Sequence, residues 1–385
     1  MLDQDLITTA QPDEYSAGAM VYRRAIKSDD STLNLILQQT PMTSWVTLST
    51  EHEPSYFASQ NMFGNRQTLL AYRRDETQTT VGMCSFTELP LHINGYKTTA
   101  AYLGELRVLP AFRNKPGIVR SGFKAIEKIA ATLSTDAHWF TSIASENVTA
   151  KRLLEANLEG MPIYQPRGEM LSMALSTRTS RNSSIMQRAQ KSDIPALVEF
   201  YNRQAREFEY SPVLSENWLA QLDGSNGLHL DNFWLLKNAE TIQACFALWD
   251  QRDFKQTVVR GYRFPLNMLR QPYNILSSMT GRVNLPAIGE PIDYLFIAFL
   301  AIDIRTLNDI RPVIDSALAL IISENVDIGM LGLSLNNPLI EQLKRYPKQT
   351  YQTCIERVSW PDVAEPPSLK SISGPDIVQP EIALL

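Results

Sequence analysis

The hexapeptide Arg24-Ala25-Ile26-Lys27-Ser28-Asp29 returns as Arg188-Ala189-Gln190-Lys191-Ser192-Asp193, with five of six positions matched at an offset of 164. An internal echo of this kind constrains a chain strongly, because both copies must satisfy one supersecondary plan. In each place an apolar strand pattern leads into Ser-Asp, good helix-capping chemistry, and then into a helical run such as Leu33, Leu35, Ile36 and Leu37. The later segments keep the same order. Stretches 69–73 and 80–86 read as paired strands, and so do 232–236 and 241–249. Tyr102-Leu103 begins an apolar strand that Tyr294-Leu295 parallels at an offset of 192. Asn147 opens a helix after the strand 139–144, as Asn337 does after 328–335 at an offset of 190. The jump in offset marks an insertion near 251–285. The reading is two copies of one α/β unit, over 20–175 and 185–360. A polar arm (1–19), a linker (176–184) and a proline-rich tail (361–385) complete the chain. Residues 42–66 read as packed loops or a second helix. A chain of 385 residues suits two such domains.

The stretch 101–128 carries the clearest chemistry. A strand ending near Leu109 is followed by a turn holding Pro110, Pro116 and Gly117 with Arg113, Lys115 and Arg120 alongside. From Ile118 the apolar positions Val119, Phe123, Ile126 and Ile129 fall on one helical face. Strand, basic turn and helix together present backbone N–H groups and a positive helix end to a phosphate. The competing reading makes Arg120, Lys124 and Lys128 the wet stripe of an amphipathic helix.

Composition excludes other classes. Net charge is −5, which argues against a protein dominated by nucleic-acid phosphate contacts. No run approaches the ~20 apolar residues of a membrane helix, and no membrane partner is expected. Cys84, Cys245 and Cys354 lie far apart in apolar contexts, as small buried residues do, and His52, His92, His138 and His229 share no ligand spacing, so no metal is expected. The acidic, polar N-terminus resembles neither a secretory nor a transit segment, and a cytoplasmic setting fits.

The ordered motifs resemble the GNAT superfamily of N-acyltransferases. Leu106-Arg107-Val108 with Pro110 resembles the family's L-x-V-x-P strand end. Residues Arg113, Asn114, Lys115, Pro116, Gly117, Ile118, Val119 and Arg120 resemble its pyrophosphate loop, and Asn147-Val148-Thr149-Ala150 with Leu153 resembles its N-x-x-A-x-x-L helix. The resemblance implies an α/β fold of two tandem GNAT-like domains, each a mixed, mainly antiparallel sheet flanked by helices. It implies acetyl-CoA or another acyl-CoA as co-substrate, held by Leu106, Arg107, Val108, Arg113, Asn114, Lys115, Gly117, Ile118, Val119, Arg120 and Asn147. The acceptor would be a small-molecule or peptide amine. The loop departs from the family pattern, since Pro116 either precedes the first glycine or replaces it.

Amine acylation needs a proton acceptor for the amine and a donor for the leaving thiolate. Glu105 is the one carboxylate inside the relevant strand. By alternation it faces away from Leu106's side unless a bulge intervenes. The family's tyrosine acid is replaced by Leu154, and Tyr164 is the nearest later tyrosine. Some members of the superfamily use a terminal carboxylate as base, and the tail to Leu385 could reach. The second copy carries Asp303 and Asp309 and no glycine in the corresponding loop, so it is expected to shape a cleft or act as scaffold rather than hold CoA. Trp249, Asp250, Arg252, Lys255 and Tyr262 cluster at its insertion. Two other functions fit less well. One is a non-catalytic acyl-CoA-binding or scaffolding protein. The other is an aminoacyl-tRNA-dependent transferase, against which the acidic balance counts.

Overall fold

The computed structural model describes residues 14–59, 63–113, 115–130, 138–179, 184–239, 241–280, 282–361 and 377–385. The repeated hexapeptide builds the same local device twice. Asp29 accepts the backbone N–H of Ile26 at 2.8 Å, and Asp193 accepts that of Gln190 at 3.0 Å. Each aspartate thereby ties the end of a strand to the helix that follows. Their cationic partners differ: Arg23 grips Asp29 through two nitrogens at 2.7 and 2.8 Å, while Lys237 holds Asp193 at 2.7 Å.

The first copy comprises β1 (Glu14–Ala17), β2 (Met20–Arg24), α1 (Asp30–Gln39), β3 (Val46–Glu51), β4 (Asn65–Arg73), β5 (Thr80–Ile93) and β6 (Tyr96–Val108). It continues through α2 (Pro116–Ile129), β7 (Trp139–Ala144), α3 (Val148–Leu154) and β8 (Ile163–Ser176). The second begins with β9 (Gln187–Arg188), α4 (Ile194–Ala205), α5 (Glu216–Ala220), β10 (Phe233–Asn238) and β11 (Thr241–Trp249). After the insertion, which folds as β12 (Gln256–Tyr262) and α6 (Leu266–Thr280), come β13 (Leu295–Ile302), α7 (Arg311–Ser323), β14 (Ile328–Ser334), α8 (Ile340–Leu343) and β15 (Lys348–Ser359).

One mixed, mainly antiparallel sheet of 13 strands runs through both copies, in the order β1-β2-β4-β5-β6-β7-β15-β8-β14-β13-β11-β10-β9. Its centre is an exchange. β8, from the first copy, pairs with β14 of the second, while β15, from the second, pairs with β7 of the first. β8 and β15 pair with each other along twelve positions. The separation of the copies along the chain is thus not a seam in the sheet. β3 and β12 form a second, two-stranded sheet that also joins the copies, so residues 42–66 include a strand where the sequence suggested loops or a helix.

β6 and β13 are the corresponding strands. Each pairs in parallel over two residues with its neighbour: Ala101–Trp139 and Tyr102–Phe140 in one, Leu295–Gly329 and Phe296–Met330 in the other. The ladder ends there in both. The structural offset on this strand is 194, so the match of Tyr102-Leu103 to Tyr294-Leu295 is two residues out of register. A shift of two preserves side-chain facing, which is why the sequence pattern did not reveal it.

The last nine residues are built into the core. Glu209 N donates to Ile377 O at 2.9 Å and Gln379 N to Glu209 O at 2.8 Å. Val378 and Ala383 are buried. A Cβ at Gly332 would lie 2.3 Å from Ile382, so the close approach of this segment to β14 requires glycine. The sequence suggested an extended tail because residues 361–385 show no strand or helix period; residues 362–376 of that tail lie outside the described residues, as do 180–183 of the linker and 1–13 of the arm.

Candidate active site

The site forms where β6 breaks its alternation. Glu105 has φ +49°, a left-handed conformation uncommon for a residue with a side chain, and the pairing with β5 shifts register between Met83 and Ser85. The bulge turns Glu105 toward His52, Tyr56 and Arg66. His52 Nε2 lies 3.2 Å from one carboxylate oxygen, and the Tyr56 hydroxyl donates to the other at 2.6 Å. Arg66 donates to that second oxygen and, at 2.9 Å, to the Tyr56 hydroxyl. Burial by itself would raise the Glu105 pKa, but the Arg66 charge and the His52 and Tyr56 hydrogen bonds hold it well below the usual carboxylate range. His52 is fully buried, which pushes its pKa down and keeps the imidazole neutral at pH 7.

Lys255 belongs to the same neighbourhood. Burial chiefly, then the charge of Arg66, pulls its pKa down to about 8, with Glu105 opposing. Its Nζ donates to the main-chain oxygen of Leu385 at 2.8 Å. Gln251 Nε2 donates to Ala383 O at 2.8 Å and fixes the approach of that segment. The others of the insertion cluster do structural work. Trp249 Nε1 donates to Asn226 O, Arg252 pairs with Asp250 and Asp293, and the Tyr262 hydroxyl donates to Pro286 O.

The expected phosphate loop leads into α2, with Lys115 as the N-cap residue and Pro116 in the first turn. Arg113 and Arg120 are exposed, Arg113 Nε donates to Val108 O at 3.2 Å, and Lys115 Nζ lies 5.3 Å from the Phe112 ring centre. Asn114 lies outside the described residues. A Cβ on Gly117 would meet nothing within 4 Å, so packing does not demand glycine there. Behind this turn is a narrow, almost wholly apolar cavity. Leu106, Arg107 and Val108 line it from β6, and Ile118, Val119 and Phe123 from α2. Five of the expected binding residues, Leu106, Arg107, Val108, Ile118 and Val119, are thus brought together. Asn147 is not among the cavity residues; its side chain accepts Ala150 N at 3.1 Å and caps α3.

Tyr164 stands elsewhere. It is buried in the core beneath α2, with its ring 6.2 Å from that of Phe123, and burial pushes its pKa up. Leu154 is buried in the same core. The sequence reading missed His52, Tyr56 and Arg66. They lie 39 to 53 positions from Glu105, in a segment without a periodic pattern, and no local signal ties them to it.

The corresponding loop of the second copy is occupied with itself. Asp303 accepts the N–H of Arg305 at 3.0 Å, and Asp309 pairs with Arg311. No group of three or more metal-ligating side chains occurs among the described residues. Among them, too, no helix is long and apolar enough to cross a membrane.

No protein-family model matches this sequence, and no curated protein matches it. Solved structures do. Saccharomyces cerevisiae N-myristoyltransferase with bound myristoyl-CoA superposes with a TM-score of 0.58, 10% identity, and coverage of 94% of this chain and 89% of that one. A second structure of that enzyme gives 0.59 over 91% and 83% at 10% identity. A GCN5-related N-acetyltransferase from Anabaena variabilis superposes more weakly, at 0.44 with 13% identity. The fold is an α/β chain with two copies around one sheet. Its architecture is the one found in N-myristoyltransferase.

Proposed function

We propose that this protein is an acyl-CoA-dependent N-acyltransferase that binds the acyl-CoA on its first copy and transfers the acyl group to an amine. The observation that carries the proposal is the bulge at Glu105, set between the end of the short β6–β7 ladder and the basic turn that opens α2. The pyrophosphate would meet Arg113, Lys115, Arg120 and the first N–H groups of α2. The amine nitrogen would attack the thioester carbonyl. A C–N bond forms, the C–S bond breaks, the amine loses a proton and the thiolate gains one.

Glu105 is a poor proton acceptor, because three donors already stabilise its charge. Its role in this reading is to anchor the bulge. Lys255 is the better acceptor, since with a pKa of about 8 it is partly neutral near physiological pH. The likeness to an enzyme crystallised with myristoyl-CoA favours an aliphatic acyl chain longer than acetyl. The acceptor is an amine of a peptide or small molecule.

A second reading, acyl-CoA binding without catalysis, is favoured by Leu154, a buried side chain with no proton to give, at the position of the family's acid. Two measurements decide. Acyl-CoA should raise the Tm, with myristoyl-CoA above acetyl-CoA, and free thiol should appear when a peptide amine is added. No stabilisation by either donor would sink both readings. Stabilisation without thiol release over a broad amine panel would leave the second.

A further inference from the structure

Helix α6 turns some polar side chains inward, although Asn267, Gln271 and Thr280 are exposed. Asn274 Nδ2 donates to Leu285 O at 2.9 Å and Asn274 Oδ1 accepts Leu285 N at 2.8 Å. Ser277 is buried, and the Tyr273 hydroxyl accepts from Gln349 Nε2 at 3.0 Å. The apolar side chains face out. Phe264, Met268, Leu269, Ile275, Leu276 and Met279 are all more than half exposed, with Met268 at 71% and Met279 at 81%. A solvent-facing surface helix carries its charges outward and its apolar stripe inward, so this arrangement needs an apolar partner.

Charge identifies the partner. From 254 to 289 the sequence holds no aspartate or glutamate, although the chain as a whole is acidic. Arg263 and Arg282 are exposed and Arg270 partly so. Trp45, itself 53% exposed, stands next to the patch, with its ring 5.6 Å below the Arg263 guanidinium and its carbonyl accepting Arg263 N at 3.0 Å. An exposed apolar face flanked by arginines and a half-exposed tryptophan is the chemistry of the lipid–water interface.

We infer that α6 docks this protein on the surface of an anionic lipid bilayer, lying in the interface with Met268, Ile275, Leu276 and Met279 among the acyl chains and Arg263, Arg270 and Arg282 at the headgroups. The docking is peripheral and requires no membrane-crossing helix. It replaces the expectation from composition that no membrane is involved. Net charge averages over the chain and hides a local patch.

Co-sedimentation of the full chain with phosphatidylcholine vesicles, with and without phosphatidylserine, tests the inference. The protein should sediment with the phosphatidylserine vesicles and be released by salt, and should bind pure phosphatidylcholine about tenfold less. Ile275→Gln with Met279→Gln, and separately Arg263→Glu with Arg282→Glu, should each lower binding to the anionic vesicles about tenfold. All four positions are exposed, so the thermal unfolding of both variants should match the parent. Three results overturn the inference: no binding to either vesicle, unchanged binding by both variants, or a self-associated state in sedimentation equilibrium that the Ile275→Gln, Met279→Gln variant abolishes.

Discussion

The two bulged strands put the same backbone to opposite uses. Glu105 on β6 and Phe299 on β13 lie 194 positions apart and share a left-handed φ, +49° and +52°. In the first copy the bulge presents a carboxylate, gripped by Arg66, Tyr56 and His52. In the second it presents a ring, stacked 5.9 Å from Trp249 and 5.8 Å from Phe233. The backbone donor at the second bulge is also in use, since Phe299 N donates to Glu381 at 2.7 Å. Gln379 meanwhile accepts from Ser334 N and Asn337 Nδ2. The 377–385 segment thus lies against β13 and β14, beyond the end of their two-residue ladder. A duplicated fold can keep its geometry while one copy turns a potential ligand cleft into core.

The largest test of that contrast is truncation at each bulge. Arg66→Met leaves Glu105 buried without its main counter-charge and should cost about 3–5 kcal/mol in denaturant unfolding, most of it recovered in the Arg66→Met, Glu105→Gln double variant. Phe299→Ala should cost a similar ~3–5 kcal/mol through cavity formation, with no polar change to rescue it. Equal recovery at both bulges, or none at the first, would break the distinction.

Ligand binding should follow the same asymmetry. Replacing Arg113, Lys115 and Arg120 together by alanine should weaken acyl-CoA binding by calorimetry about tenfold or more, through lost charge-assisted bonds. Arg305→Ala in the second copy should leave the affinity as it was. Loss at both loops would mean that both copies bind.

At the centre, transfer should speed up as pH rises past about 8, where Lys255 loses its proton. Lys255→Met should flatten that rise and lower kcat while leaving the donor's KM in place. An unchanged pH profile would remove Lys255 from the proton path.

The smallest effect concerns Glu381. Burial raises its pKa to about 7 against 4.5 when unfolded, with the Phe299 and Ala383 N–H groups opposing. Between those values the folded state holds more protons, so this group's stabilisation is full below about 4.5 and is lost as pH rises to about 7. Glu381→Gln should remove that slope and leave the protein as stable or slightly more stable above pH 7, measured by Tm against pH. A slope that persists unchanged would assign it to another group.

Much of the fold was legible because local rules wrote it. The strands 139–144 and 241–249 match β7 and β11 end to end, and the hexapeptide at 24 and 188 forecast one capping device twice. Period, capping chemistry and turn residues act over a few positions, so a sequence displays them. The helix α6 shows the limit. Its apolar spacing is legible, yet which face turns to solvent depends on Leu285 and Gln349.

What the sequence by itself determined is the plan: two copies, a basic turn before α2, and Glu105 as the one carboxylate on its strand. What only the tertiary structure decided is the electrostatics. The exchange of β8 and β15 into the middle of one sheet, the pairing of Glu105 with Arg66, and the arrival of Leu385 beside Lys255 all join residues far apart in the chain. Such contacts are set by burial and by the satisfaction of buried charge, which are properties of the packed chain and leave no periodic trace along it.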